Sequence, residues 1–123
     1  EEDFPAAIAS LSRAAALDST LHEAFYGLGL AAARSGHVRQ AINHFTRAVK
    51  LNPLSAEAQI NLGVALVKRA EYDRAAHAYL RAIELDPANA RAHLYVSDVY
   101  GRIGQTEKSA EYRAKAGLLQ AGR

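Results

Sequence analysis

Lys50-Leu51-Asn52-Pro53 recurs as Glu84-Leu85-Asp86-Pro87, with the two prolines 34 residues apart. The same offset carries Leu28-Gly29 onto Leu62-Gly63, Ala41 onto Ala75, Phe45 onto Tyr79, Ala48 onto Ala82 and Leu51 onto Leu85. So many matches at one offset define an internal repeat, and a period in this range marks stacked supersecondary units. Within each period, residues 22–34 and 56–68 carry apolar side chains at helical spacing, and a second amphipathic stretch runs over 38–50 and 72–84. Gly36 and Ala70 mark the turn between the two. Each Pro falls where a hairpin ends, because it cannot continue the preceding helix and tolerates the start of the next. The unit is therefore helix, turn, helix, stop.

This unit resembles the tetratricopeptide repeat family, whose 34-residue pattern is an aromatic residue, then Leu-Gly, then a spaced Ala, aromatic, Ala and a closing Pro. Residues 22–55 match it at Phe25, Leu28, Gly29, Ala41, Phe45, Ala48 and Pro53. Residues 56–89 match at Leu62, Gly63, Ala75, Tyr79, Ala82 and Pro87, with Gln59 in place of the first aromatic. A unit from Ala90 keeps Tyr100, Gly104 and Ala116 but carries His93, Ser97 and Arg113 at the first aromatic, Gly and later aromatic slots. Residues 4–21 fit only a second helix, with Phe4, Ala7, Leu11, Ala14 and Leu17 in the register of Val38, Ala41, Phe45, Ala48 and Leu51. The resemblance implies an all-α solenoid of antiparallel hairpins, right-handed, with seven helices in a single array over 1–123. Its parts are a truncated repeat at 4–21, repeats at 22–55 and 56–89, and a terminal repeat at 90–123. Small residues at Gly29, Ala41, Gly63 and Ala75 let helix axes approach, and Phe45 and Tyr79 fill the space left.

Composition agrees with this architecture. The 123 residues give room for one compact domain or three to four stacked repeats, and half of them are hydrophobic, mostly Ala and Leu rather than β-branched. A formal net charge of +2 is too small for an electrostatic nucleic-acid footprint. The absence of Cys excludes disulfides, thiolate nucleophiles and Cys-ligated metals. No apolar run approaches the ~18–20 residues of a membrane span, and Glu1-Glu2-Asp3 does not begin a signal peptide. The expectation is a soluble chain, in the cytoplasm rather than the periplasm. With no Met, it reads as a segment of a longer protein or one that has lost a leader.

The resemblance places the first helix of each unit on the inner, concave side, where repeat surfaces of this kind bind. The expected peptide-binding positions are Tyr26, Leu30 and Arg34; Ile60, Asn61, Val64 and Lys68; and Arg91, Tyr95, Asp98 and Arg102. Tyr26, Leu30, Ile60, Val64 and Tyr95 would form an apolar floor. Arg34, Lys68 and Arg102 would form a basic row, with capping of helix C-termini as their alternative role. Asn61 stands at the slot from which peptide-binding members of the family address a backbone, but Gly27 and Tyr95 replace it in the neighbouring units, so no Asn ladder is present. The carboxylate clamp of chaperone-binding members also fails, because Tyr26, Leu30 and Tyr95 stand where its other polar residues would be.

Catalytic and metal chemistry find little footing. His22, His37, His44, His77 and His93 lack the i, i+3 or i+4 pairing of a helical metal site and read as solvated or peripheral, with His44 and His77 the one pair able to approach on the outer surface. Glu57, Glu71, Asp73, Glu84, Asp86, Glu107 and Glu111 sit at turns or exposed helical positions near Lys or Arg. The reading is a non-enzymatic scaffold without cofactors that binds a protein or peptide partner on its concave face. An RNA-binding helical array, the targeting arm of an enzyme, and self-association through solenoid ends such as Leu118-Leu119 are the alternatives.

Overall fold

The computed structural model describes residues 21–122 together with Ala9. The described residues form six helices: α1 (His22–Arg34), α2 (Val38–Leu51), α3 (Ala56–Lys68), α4 (Tyr72–Leu85), α5 (Ala90–Arg102) and α6 (Thr106–Ala121). The leading helix expected over 4–21, which brings the expected count to seven, lies outside the described residues but for Ala9 and Leu21. The chain is all-helical over the described residues, and its helices pair as α1/α2, α3/α4 and α5/α6, with α2 packed on α3 and α4 on α5.

The same chemistry turns the chain at the end of each first helix. The His37 and Gly36 amides donate to the Ala32 and Ala33 carbonyls at 2.8 and 3.1 Å. Glu71 and Ala70 do the same to Leu66 and Val67, and Gln105 and Gly104 to Tyr100 and Gly101. These are the paired bonds of a helix end whose following residue is left-handed, and φ is 81° at Gly36, 58° at Ala70 and 83° at Gly104. Between hairpins, Asn52-Pro53-Leu54 and Asp86-Pro87-Ala88 lead to side-chain caps. Ser55 Oγ accepts from the Ala58 amide at 3.2 Å and Asn89 Oδ1 from the Ala92 amide at 3.3 Å, each satisfying a donor that the first helical turn leaves without a partner.

Inside each hairpin, the small-residue slot receives a ring. A Cβ added at Gly29 would stand 2.5 Å from the Phe45 ring, and one at Gly63 2.5 Å from that of Tyr79. Phe45 and Tyr79 are 1% and 2% exposed, so the missing side chain is what seats them. In the third hairpin both partners change together. Ser97 replaces the Gly, Arg113 replaces the ring, and the buried Ser97 hydroxyl donates to the Ser109 carbonyl at 2.7 Å. A hydroxyl with a partner fits where a ring would have excluded it. One core then runs through the array, from Ala32, Ile42 and Phe45 through Ile60, Leu66 and Tyr79 to Val96, Val99 and Tyr100.

Candidate functional site

The first helices meet along one side. The Asn61 Nδ2 group of α3 donates to the Tyr26 hydroxyl oxygen of α1 at 2.8 Å and to the Glu57 carbonyl at 3.1 Å. Glu57 in turn meets Arg91 of α5 at 3.1 Å. Tyr26, Asn61, Glu57 and Arg91 thus make a polar chain across three consecutive first helices. Both hydrogens of the Asn61 amide are engaged, which leaves its Oδ1 as the acceptor and the Tyr26 O–H as the adjacent donor. Burial, followed by the Glu57 charge, raises the Tyr26 phenol above its ordinary pKa, against the Asn61 hydrogen bond and Arg91, which lower it. The phenol is the neutral donor throughout the physiological range.

The aromatic part of the row rests on the core. Tyr26 leans on Phe45 at 5.9 Å between centroids and Tyr95 on Tyr79 at 5.5 Å, both distances suited to tilted ring pairs. Tyr95 keeps 37% of its surface exposed while Tyr79 is sealed beneath it. Burial, then the neighbouring Tyr95 and the Asp98 charge, push the Tyr79 phenol far upward.

The expected apolar floor is only partly present. Ile60 is 1% exposed and belongs to the core, so the expectation that it faces a ligand is corrected: burying its full apolar side chain is worth about 1.5–3 kcal/mol, which exposure to a ligand groove would forfeit. Leu30 and Val64 are half-buried and packed against the same core. Asn61, Val64 and Lys68 line a small pocket with Ala33, Val38 and Phe45 at the junction of the first two hairpins. Arg34, Lys68 and Arg102 each stand in the last turn of their helix, where the macrodipole favours a cation. Arg102 is also paired with Asp98 at 3.0 Å and lies 5.9 Å from the Tyr72 ring centroid. The basic row therefore follows from helix ends, and Asp98 serves it as a partner.

Three histidines depart from the reading as solvated or peripheral: His93, His22, and His44, which is half-buried against the Phe25 ring. His93, at the first aromatic slot of the third hairpin, is 5% exposed. Its Nε2–H donates to the Pro87 carbonyl at 2.9 Å, and its ring lies 5.9 Å from that of Tyr112. His22 is half-buried, with Nδ1 3.0 Å from the Ala48 carbonyl. The signal for His93 was its register: it occupies the slot that Phe25 fills in the first hairpin, and a slot defined by packing buries whatever stands there. Among the described residues, no group of three or more His, Asp or Glu side chains is placed to hold a metal ion. No described helix is long and apolar enough to cross a membrane.

Stacked hairpins with a shared core and a continuous row of polar and aromatic groups along the first helices define a class, the helical-repeat scaffold for protein–protein interaction. The chain belongs to the tetratricopeptide repeat family: two tetratricopeptide repeat models match it, one over residues 26–69 and one over 56–89. No curated protein sequence matches it. Among solved structures, a crystal structure of MamA superposes with a TM-score of 0.90 at 31% identity, covering 94% of this chain and 67% of that one. A second MamA crystal structure gives 0.88 at 32% identity over 93% of this chain and 62% of that one. A MamA RS-1 ArsTM double mutant gives 0.91 at 21% identity, with 98% and 67% covered, a likeness of fold alone. The chain thus spans about two thirds of the length of the MamA structures it matches.

Proposed function

We propose that the chain is a scaffold that holds a peptide segment of a partner protein against its first helices, with Tyr26, Asn61 and Tyr95 as the principal contacts. The observation that carries this reading is the Tyr26–Asn61 bond of 2.8 Å between successive repeats. It sets a phenolic O–H donor beside an amide oxygen acceptor, the complement of a peptide group's C=O and N–H. The half-exposed Tyr95 ring adds an apolar contact one repeat further on, and Lys68, Arg34 and Arg91 favour acidic residues in the ligand. Leu30 and Val64 flank the row as secondary contacts, and Asp98 with Arg102 closes it. Repeat boundaries at 22–55, 56–89 and 90–123 give one contact set per unit.

The test is selection from a displayed random-peptide library on the immobilised chain and on a Tyr26→Ala, Asn61→Ala, Tyr95→Ala variant, both checked for equal helicity by circular dichroism. The unmodified chain is expected to enrich a sequence motif that the variant does not. Enrichment of the same motif by both would place recognition away from the first helices.

A further inference from the structure

The junction between the first and second hairpins and the junction between the second and third are built from corresponding positions, and they differ in what fills them. A pocket of about 40 Å³ opens at the first junction, lined by Ala and Val side chains, the Phe45 ring, Asn61 and Lys68. At the second junction the repeat offset turns Ala33 into Val67, Val38 into Tyr72 and Ala65 into Val99, a larger group each time. Asn61 becomes Tyr95, whose ring lies on Tyr79, the counterpart of Phe45, with centroids 5.5 Å apart. Val64 becomes Asp98 and Lys68 becomes Arg102, and these two pair at 3.0 Å. The second junction thus carries its own apolar cover and its own carboxylate. The first has no such carboxylate: Lys68 is exposed and has no ion-pair partner among the described residues.

Two properties of the pocket select an occupant. Its volume is roughly three times the space that one water needs, and far below the about 150 Å³ of an apolar cavity that takes a benzene ring. The methyl groups of an alanine or valine fit it, and an aromatic ring does not. The second property is charge. With Val64 in the place of Asp98, the Lys68 ammonium is left to be met by a carboxylate from outside the chain. Side chains two residues apart in an extended segment share a face, and Lys68 lines the pocket itself, so the carboxylate belongs two residues from the aliphatic group.

We infer, on the footing that the first helices hold the ligand as proposed above, that the first junction reads a small aliphatic residue of the partner's peptide, alanine or valine, with aspartate or glutamate two residues away. The aliphatic group covers Phe45 as Tyr95 covers Tyr79. The carboxylate stands to Lys68 as Asp98 stands to Arg102. The Tyr26 hydroxyl and Asn61 Oδ1, joined through the 2.8 Å bond, hold the peptide backbone beside them.

Acetylated pentapeptide amides test the assignment by NMR titration of the ¹⁵N-labelled chain: Asp-Ser-Val-Ser-Asp, its versions with Gly or Phe at the centre, and Asn-Ser-Val-Ser-Asn. Carboxylates flank the valine on both sides, so either direction of the peptide serves. Saturable shifts at the amides of Asn61, Val64 and Lys68 are expected. The Val peptide should bind about 10-fold tighter than the Gly version, tighter than the Phe version, and about 2–5-fold tighter than the Asn version. Lys68→Gln, at an exposed position, should equalise the Asp and Asn peptides and keep the preference for Val over Gly. Val64→Ala, which widens the pocket, should narrow the margin of Val over Phe; should it prevent folding, Lys68→Gln decides alone. First-helix shifts with no preference for Val, or an Asp preference that survives Lys68→Gln, overturn the assignment and leave the first helices as the ligand-holding side. Shifts confined to the second helices overturn both. Absence of saturable shifts with every peptide overturns the assignment, and the library selection then decides the role of the first helices. Shifts at the same amides on raising protein concentration without peptide would show the junction filled by a second copy, and equally overturn the assignment.

Discussion

Ala70 holds a left-handed conformation that Gly36 and Gly104 adopt at the same place in the other hairpins. A Cβ in that conformation costs about 1–2 kcal/mol, and the surrounding bonds from Ala70 and Glu71 to Val67 and Leu66 leave the backbone no alternative. Seven residues earlier, Gly63 is in the reverse situation, because its hydrogen is what admits the Tyr79 ring. Exchanging the residue type at each position should therefore move stability in opposite directions. Ala70→Gly is expected to raise unfolding free energy by about 1 kcal/mol. Gly63→Ala is expected to lower it by about 1–2 kcal/mol, since overpacking outweighs the better helix propensity of Ala. Urea denaturation of the two variants measures both, and shifts of the same sign would show that neither backbone strain nor ring contact governs these sites.

At the scale of the helix, the two members of each hairpin differ in how much their neighbours constrain them. The outer face of the first hairpin rests on Phe25, His44 and Arg47, and burial lowers the His44 pKa below its ordinary value. The sign follows directly. The folded chain favours neutral imidazole, so unfolding takes up a proton once the pH drops below the unfolded value of about 6.5, and the stability present above that pH is lost as the pH falls toward the folded value. The urea midpoint should thus fall between pH 7.5 and 5.5, more steeply in the unmodified chain than in His44→Gln. Parallel slopes in the two proteins would remove His44 as the source. Much at this scale was legible beforehand: the spans 22–34, 38–50, 56–68 and 72–84 match α1 to α4 within a residue, because prolines, left-handed turns and helical spacing are local signals. What was not legible depends on pairs of positions. Ser97 and Arg113 each look like a lapse from the pattern until the Ser97–Ser109 bond shows them to be one exchange. Ile60 is apolar on either reading, and only the angle of α3 against its neighbours decides that it is core.

Across the whole molecule, among the described residues each hairpin packs mainly on its neighbour, so stability is a sum of hairpin and interface contributions and need not be uniform. The middle pair α3 and α4 is covered on both sides, with Ile60, Leu62, Ala65 and Leu66 buried on one helix and Ala75, Ala76, Ala78 and Tyr79 on the other. Helix α6 buries Ala116 alone, and it meets α5 mainly through partly exposed groups: the Tyr112 ring 5.7 Å from Tyr100 and 5.9 Å from His93, Lys108 over the Tyr100 ring, and the Ser97–Ser109 bond. Local opening draws on the parts with the fewest buried apolar groups. Native-state hydrogen exchange of the 123-residue chain should therefore show α6 amides opening at a distinctly lower free energy than those of α3 and α4. The amides of α5, which packs on both α4 and α6 and fully buries Ala92, Val96 and Val99, should lie between the two. Tyr112→Ala should widen the gap by loosening α6 while leaving α3 and α4 unchanged, since no ring of the middle hairpin touches Tyr112. Equal protection from α3 to α6, or a loss in Tyr112→Ala that spreads evenly through the array, would mean that the hairpins unfold as one unit and that their interfaces are stronger than the burial of α6 implies.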